Sequence, residues 1–119
     1  MRDRKPAPAD LTPIAVEVLL SLADGPRHGY GIKLDIEERT EGDLVLGSGT
    51  LYQAIQRLER DALIAAAGDA AHDADPRRGR FYRLEPDGRA ALVAHLQKLE
   101  RSLTFARRRK LLPGPRSQT

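Results

Sequence analysis

Apolar residues recur at helical spacing in four stretches of the chain, and each stretch has recognisable ends. In the first, Ile14, Val18 and Leu22 form a stripe that Ala15, Leu19 and Leu20 widen. Thr12 is a good N-cap, Pro13 fits the first helical position, and Leu11 with Val16 has the spacing of a hydrophobic staple. This helix stops at Ala23-Asp24-Gly25-Pro26. A second begins at His28 or Gly29, with Tyr30, Ile32, Leu34 and Ile36 supplying apolar surface and Lys33, Asp35, Glu37, Glu38 and Arg39 polar surface. It ends around Thr40-Glu41-Gly42, and Leu44-Val45-Leu46 is then a small strand or an anchored loop.

The third stretch, residues 47–61, has the sharpest division of faces. Leu51, Ile55, Leu58 and Ala62 share one stripe, and Gln53, Gln56, Arg57 and Arg60 fall opposite. Two strands are predicted next, over residues 63–68 and 80–84, the second with Tyr82 and Leu84 on one face and Phe81 and Arg83 on the other. The last helix starts at Pro86, with Asp87 in its first turn. Leu92, Leu96, Leu99 and Leu103 repeat at spacings of 4, 3 and 4, a heptad seam. Arg107 to Lys110 put cations at its negative end, and Pro113-Gly114-Pro115 stop it.

Three helices, a two-stranded ribbon and a long helix give a mainly α fold with a small β-hairpin. This is the order of a winged helix-turn-helix followed by a C-terminal dimerisation helix. The connector before the third helix is longer than a tight helix-turn-helix turn. The expected organisation is a basic, Pro/Ala-rich arm (1–9), a winged unit (10–85), a dimerisation helix (86–112) and a frayed tail (113–119).

Composition narrows the function. At 119 residues and 40% hydrophobic content the chain suits one domain, small enough that a partner subunit would help its stability. It has no cysteine, which excludes disulfides and thiol chemistry and fits a cytoplasmic protein. No apolar run is long enough to span a membrane, and the N-terminus lacks the apolar stretch of a signal peptide. Net charge is +3, which permits a nucleic-acid partner without demanding one. Aromatics are 4% with no Trp, which argues against a single-strand binder and against a pocket for flat aromatic compounds. There is no catalytic triad, no phosphate-binding loop with a lysine and no paired carboxylates in an apolar setting, so an enzyme is not expected. His72, Asp73 and Asp75 are loose metal-type ligands with no second cluster, so neither a metal nor a cofactor is expected.

The outer face of the third helix carries amides and guanidiniums with almost no carboxylate. Gln reads adenine edges, and Arg reads guanine or grips phosphate. Gln53 and Thr50 are therefore candidates for base edges and Ser48 for phosphate, against simple N-capping for the two hydroxyls. Tyr52 reads equally as a phosphate ligand or as packing between helices. Gln56 and Arg57 lie further along, with Arg57 on backbone; for Arg60 a surface ion pair is the alternative. In the second helix, Tyr30 and Lys33 are candidates for phosphate, and His28 for a turn-fixing hydrogen bond. Arg77, Arg78 and Arg80 form a basic wing, although Asp69, Asp73 and Asp75 in the same loop are available to neutralise it. The competing reading is a winged-helix module that binds protein and not DNA. The Leu92/Leu96/Leu99/Leu103 seam calls for a second subunit to cover it.

Four segments, taken together, resemble the PadR family of transcriptional regulators. Gly25-Pro26-Arg27-His28-Gly29-Tyr30-Gly31-Ile32 resembles the family's "G-P-x-H-G-Y-x-I". Ser48-Gly49-Thr50-Leu51-Tyr52 resembles "G-T-L-Y", Leu58 to Ile64 resembles "L-E-x-x-G-L-I", and Arg80 to Leu84 with Asp87-Gly88-Arg89 resembles "K-Y-Y-x-L-T-x-x-G". The segments occur in the family's order, from Gly25 to Arg89, and the resemblance covers roughly residues 11 to 92. Three positions depart from the pattern: Gly47-Ser48 replaces the Pro before "G-T-L-Y", Gln53 replaces the Pro after the Tyr, and Ala62 replaces the Gly. The single C-terminal helix resembles the small subclass. The resemblance implies a cytoplasmic homodimer that binds double-stranded DNA as a repressor, often under a small-molecule effector. A dimer of this kind sets two recognition helices about 34 Å apart on a near-palindromic operator.

Overall fold

The computed structural model describes residues 11–67 and 80–114. Helix α1 (Pro13–Ser21) leads to strand β1 (Arg27–His28), helix α2 (Gly29–Arg39) and helix α3 (Ser48–Arg60). Strands β2 (Ile64–Ala66) and β3 (Phe81–Leu84) follow, and helix α4 (Pro86–Arg108) comes last. The architecture is mainly helical with a small antiparallel sheet, as expected for a winged helix.

Local chemistry accounts for the helix ends. Thr12 Oγ1 accepts from the Ala15 N–H at 3.0 Å, and Pro13 follows the cap. Leu11 and Val16 are both buried, as the staple requires. Helices α2, α3 and α4 share one kind of ending. The residue after each C-cap is left-handed and not glycine: Glu41 (φ 53°), Ala62 (φ 62°) and Lys110 (φ 64°). In α3, the Leu63 N–H donates to Leu58 O at 2.9 Å and the Ala62 N–H to Glu59 O at 3.0 Å, the paired bonds of a Schellman motif. Ala62 is exposed, so the apolar stripe of α3 ends at Leu58 and Ala62 belongs to the turn.

The sheet has three strands in the order β1-β3-β2, one more than the predicted hairpin. Arg27 pairs with Tyr82 and His28 with Phe81 on one side of β3; Ile64 pairs with Leu84 and Ala66 with Tyr82 on the other. The His28 ring is buried and stacks on Phe81 with centroids 3.7 Å apart. Leu44-Val45-Leu46 is an anchored loop: Leu46 is buried, and Thr40 Oγ1 accepts from the Leu44 N–H at 3.1 Å while donating to Ile36 O.

The core sits among α1, α2 and α3, where Val18, Leu19, Ile32, Ile36 and Ile55 are each fully enclosed. Each such aliphatic side chain contributes roughly 1.5–3 kcal/mol of transfer free energy. Tyr30 and Leu34, expected to share the apolar face of α2, are exposed.

A polar clamp locks α1 to α2. The Arg39 guanidinium donates to Glu17 Oε1 (2.7 Å), Asp35 Oδ2 (2.8 Å) and Ser21 Oγ (2.8 Å). Ser21, almost wholly enclosed, donates to Asp35 at 2.8 Å, and Arg27 Nε donates to Ser21 O at 2.7 Å. Burial pushes the Asp35 carboxyl up, but the hydrogen bonds from Arg39 and Ser21 and the charges of Arg39 and Arg27 prevail and hold it below its ordinary value.

Helix α4 rises from the sheet through a close contact. The Glu85 N–H donates to Leu63 O at 3.0 Å, and a Cβ on Gly88 would lie 2.0 Å from that same oxygen. Only glycine allows this approach. Ala91 and Leu92 then bury into the core, and α4 packs on α1. The expected seam is therefore corrected at one end: Leu92 is covered by its own chain. Beyond it Val93, Leu96, Leu99 and Leu103 are exposed, lining an open groove of about 410 Å³.

Candidate nucleic-acid interface

Helix α3 presents its two faces as its sequence dictates. Leu51, Ile55 and Leu58 are buried, while Ser48, Gly49, Thr50, Gln53, Gln56, Arg57 and Arg60 are exposed. The N-cap is Gly47, and no side chain caps the helix. Neither Ser48 nor Thr50 is thus used as a cap, and the first N–H groups of α3 lie among small, exposed residues. Open space surrounds the position of a Cβ at both Gly47 and Gly49. These glycines are not demanded by crowding; they keep bulk away from the positive end of the helix, where an anion is best received.

Arg57 and Arg60 stand in the last turn and make no ion pair among the described residues. They favour the helix dipole and leave their guanidiniums available. Their neighbour Glu59 faces the sheet instead, half-buried, 3.7 Å from Arg80. Arg80 is exposed just before β3 and is tied loosely to α3 by this pair. Its expected companions Arg77 and Arg78 lie outside the described residues.

Tyr52 is half-buried and packs against the start of α2. Its hydroxyl would lie 2.3 Å from a Cβ on Gly29, so the ring rests on the α2 N-terminus and a side chain there would have to displace it. It lies close to Tyr82, whose hydroxyl is raised above its ordinary pKa by burial and by Glu59 and Tyr52, against the opposing charge of Arg80. In α2, Tyr30 is 58% exposed, as a phosphate-facing residue must be. Lys33 corrects its expectation: it is half-buried and its Nζ is paired with Glu37 one turn on.

Between α1 and α3 lies a cleft of about 290 Å³. Leu11, Ile14, Ala15, Ala54, Leu58 and Leu63 supply its apolar lining, and Thr50, Gln53, Arg57 and Asp61 its polar rim. The same side chains that could read DNA thus border a partly apolar recess. Among the described residues no group of three or more His, Cys, Asp or Glu side chains could hold a metal ion, and no helix is long and apolar enough to cross a membrane.

Known proteins are similar to this chain in sequence and in fold. Residues 18–94 match the profile of the transcriptional regulator PadR-like family. A transcriptional regulator of Mycobacterium tuberculosis is 32% identical over 87 residues, which are 73% of this chain and 76% of that one. An uncharacterised transposon protein of Streptomyces fradiae is 37% identical over 84 residues, 71% of this chain, which spans only 22% of the length of that relative. Among solved structures, a transcriptional regulator from Clostridium thermocellum superposes with a TM-score of 0.66 at 24% identity, covering 80% of this chain and 87% of that one. A PadR family regulator from Clostridium difficile gives 0.64 at 21%, covering 82% and 97%. At these identities the superpositions speak to the fold, and the match of residues 18–94 speaks to descent: this chain belongs to the PadR-like family of transcriptional regulators.

Proposed function

We propose that this chain is a homodimeric, sequence-specific repressor that lays α3 in the major groove of a near-palindromic operator. The observation that carries the reading is the solvent face of α3. It offers Gln53, Gln56, Arg57 and Arg60 without a carboxylate among them, ahead of which lies a glycine-flanked, uncapped helix start. Gln53 and Thr50 approach base edges; Ser48 and the first N–H groups take a phosphate; Gln56 and Arg57 extend the footprint. Tyr30 on α2 and Arg80 just before β3 flank this surface with further phosphate contacts. The exposed row Val93, Leu96, Leu99 and Leu103 joins two subunits, with α1 beside it. The winged unit then spans residues 10–85 and the dimerisation helix residues 86–112.

Selection of bound duplexes from a random pool by the purified protein tests this directly. A consensus with two-fold symmetry is expected, with half-site centres about one helical turn apart. Enrichment of no consensus would favour a winged-helix module that binds protein instead.

A further inference from the structure

We propose that Leu111 and Leu112 of one subunit seat in the α1–α3 cleft of the other, so that the subunit contact touches the recognition helix itself. The inference rests on the dimer through α4 proposed above and adds the place where each helix tip ends.

Three observations carry it. First, the tip is shaped and uncovered. Lys110 turns the chain at the end of α4, the Leu111 N–H donates to Ala106 O at 2.9 Å, and Arg107 Nε donates to Pro113 O at 3.1 Å. These bonds hold Leu111, 74% exposed, and Leu112, 42% exposed, in one arrangement. Second, the cleft is a recess lined by apolar side chains, Ile14, Ala54 and Leu63 among them.

Third, helix geometry brings the two together. The exposed row from Val93 to Leu103 is centred near residue 98. At 1.5 Å per residue the tip lies about 20 Å beyond that centre, and Pro86 lies about 18 Å before it. An antiparallel pair therefore sets each tip beside the start of the partner's α4. There α4 presses on Leu63 through Glu85 and Gly88, and Leu63 lines the cleft. The other wall, α1, also packs on α4, in line with the stripe that begins at Leu92. Charge selects the antiparallel sense. A parallel pair would crowd two Arg107-to-Lys110 clusters together, whereas the antiparallel pair holds them about 30 Å apart by the same rise. It also brings each cluster toward Asp61 and Asp87 of the other copy.

The chain has no cysteine, so engineered pairs report cleanly. The double variants Leu112→Cys/Ala54→Cys and Leu111→Cys/Ala54→Cys, oxidised mildly at micromolar concentration, should give a disulfide-linked dimer on a denaturing gel in at least one pairing. Within one chain the two positions are separated by the length of α4, so the bond forms only between copies. As a second readout, spin-labelled Leu112→Cys chains mixed with isotope-labelled wild-type chains should broaden the amides of Ala15 and Ala54. A species that sediments as a dimer but shows neither effect overturns the clasp and leaves the dimer standing. Broadening of residues 107–112 instead, or a disulfide in the Leu112→Cys single variant, marks a parallel pair and also overturns it. A wild-type chain that sediments as a monomer overturns both proposals.

Discussion

Replacing Ala62 by glycine should stabilise the protein. Ala62 holds φ 62° to complete the two hydrogen bonds that close α3. An L-residue with a Cβ costs about 1–2 kcal/mol in this region, because Cβ crowds the following carbonyl. Glycine removes that cost but gains freedom in the unfolded chain, which returns roughly 0.4–1 kcal/mol. Ala62 is exposed, so truncating its methyl loses no core contact. The net gain is about 1 kcal/mol. With an unfolding entropy of about 2.1 cal/mol/K per residue, a chain of this size melts roughly 4 °C higher per kcal/mol. Thermal melts of wild type and Ala62→Gly at one protein concentration measure it, since the midpoint of any chain that assembles depends on concentration. Ala62→Val is the counterpart and should lower the midpoint. An Ala62→Gly melt at or below that of the wild type would refute the reasoning, because it would mean that the left-handed turn is not formed in the folded state.

Gly88→Ala should be strongly destabilising, on the order of 3 kcal/mol, because its Cβ meets a backbone oxygen at 2.0 Å that cannot move without lifting α4 from Leu63; urea denaturation reads it. Gly47→Ala, with open space around the new methyl, should leave stability within about 0.5 kcal/mol of wild type in the same assay. Acid stability should depend on Asp35. Its carboxyl is held low in the folded state, so its contribution is fully present above the unfolded value near ~3.9 and is lost as pH falls through the lower folded value. Urea midpoints followed downward from neutral pH should show this loss in wild type and a flatter acid limb in Asp35→Asn, whose stability at neutral pH is lower.

Much of the scaffold was legible because its signals are local. Thr12-Pro13 and Pro86 mark two helix starts, and the stripe Leu51, Ile55 and Leu58 orients α3 without reference to anything distant. What escaped depends on contacts across the chain. Strand β1 is two residues long and exists only because β3 lies beside it. The clamp of Glu17, Ser21, Asp35 and Arg39 unites positions up to 22 apart in sequence, so Arg39 read as ordinary polar surface. Leu92 shares its spacing with Leu96 and Leu99, yet spacing does not say which turns of α4 its own chain covers. Lys33 was a different failure: Glu37 stood one turn away in plain view, and i, i+4 pairs of this kind are common on helices. For Tyr52, helical spacing gives no sign of Gly29, a residue of another helix that lies against its ring. The departure at Ala62 became intelligible only once its left-handed backbone placed it in the position that glycine favours.

The measurement closest to the central claim is duplex binding by fluorescence anisotropy, with the selected operator, at two salt concentrations and for two proteins. Between about 50 and 200 mM salt the wild-type affinity should fall at least tenfold, since several Lys/Arg–phosphate contacts release counterions. The double variant Gln53→Glu/Arg57→Glu keeps the buried face of α3 intact and should bind at least tenfold more weakly with a shallower salt dependence. Equal affinity and equal salt dependence in wild type and variant would contradict the assignment of this helix face to DNA.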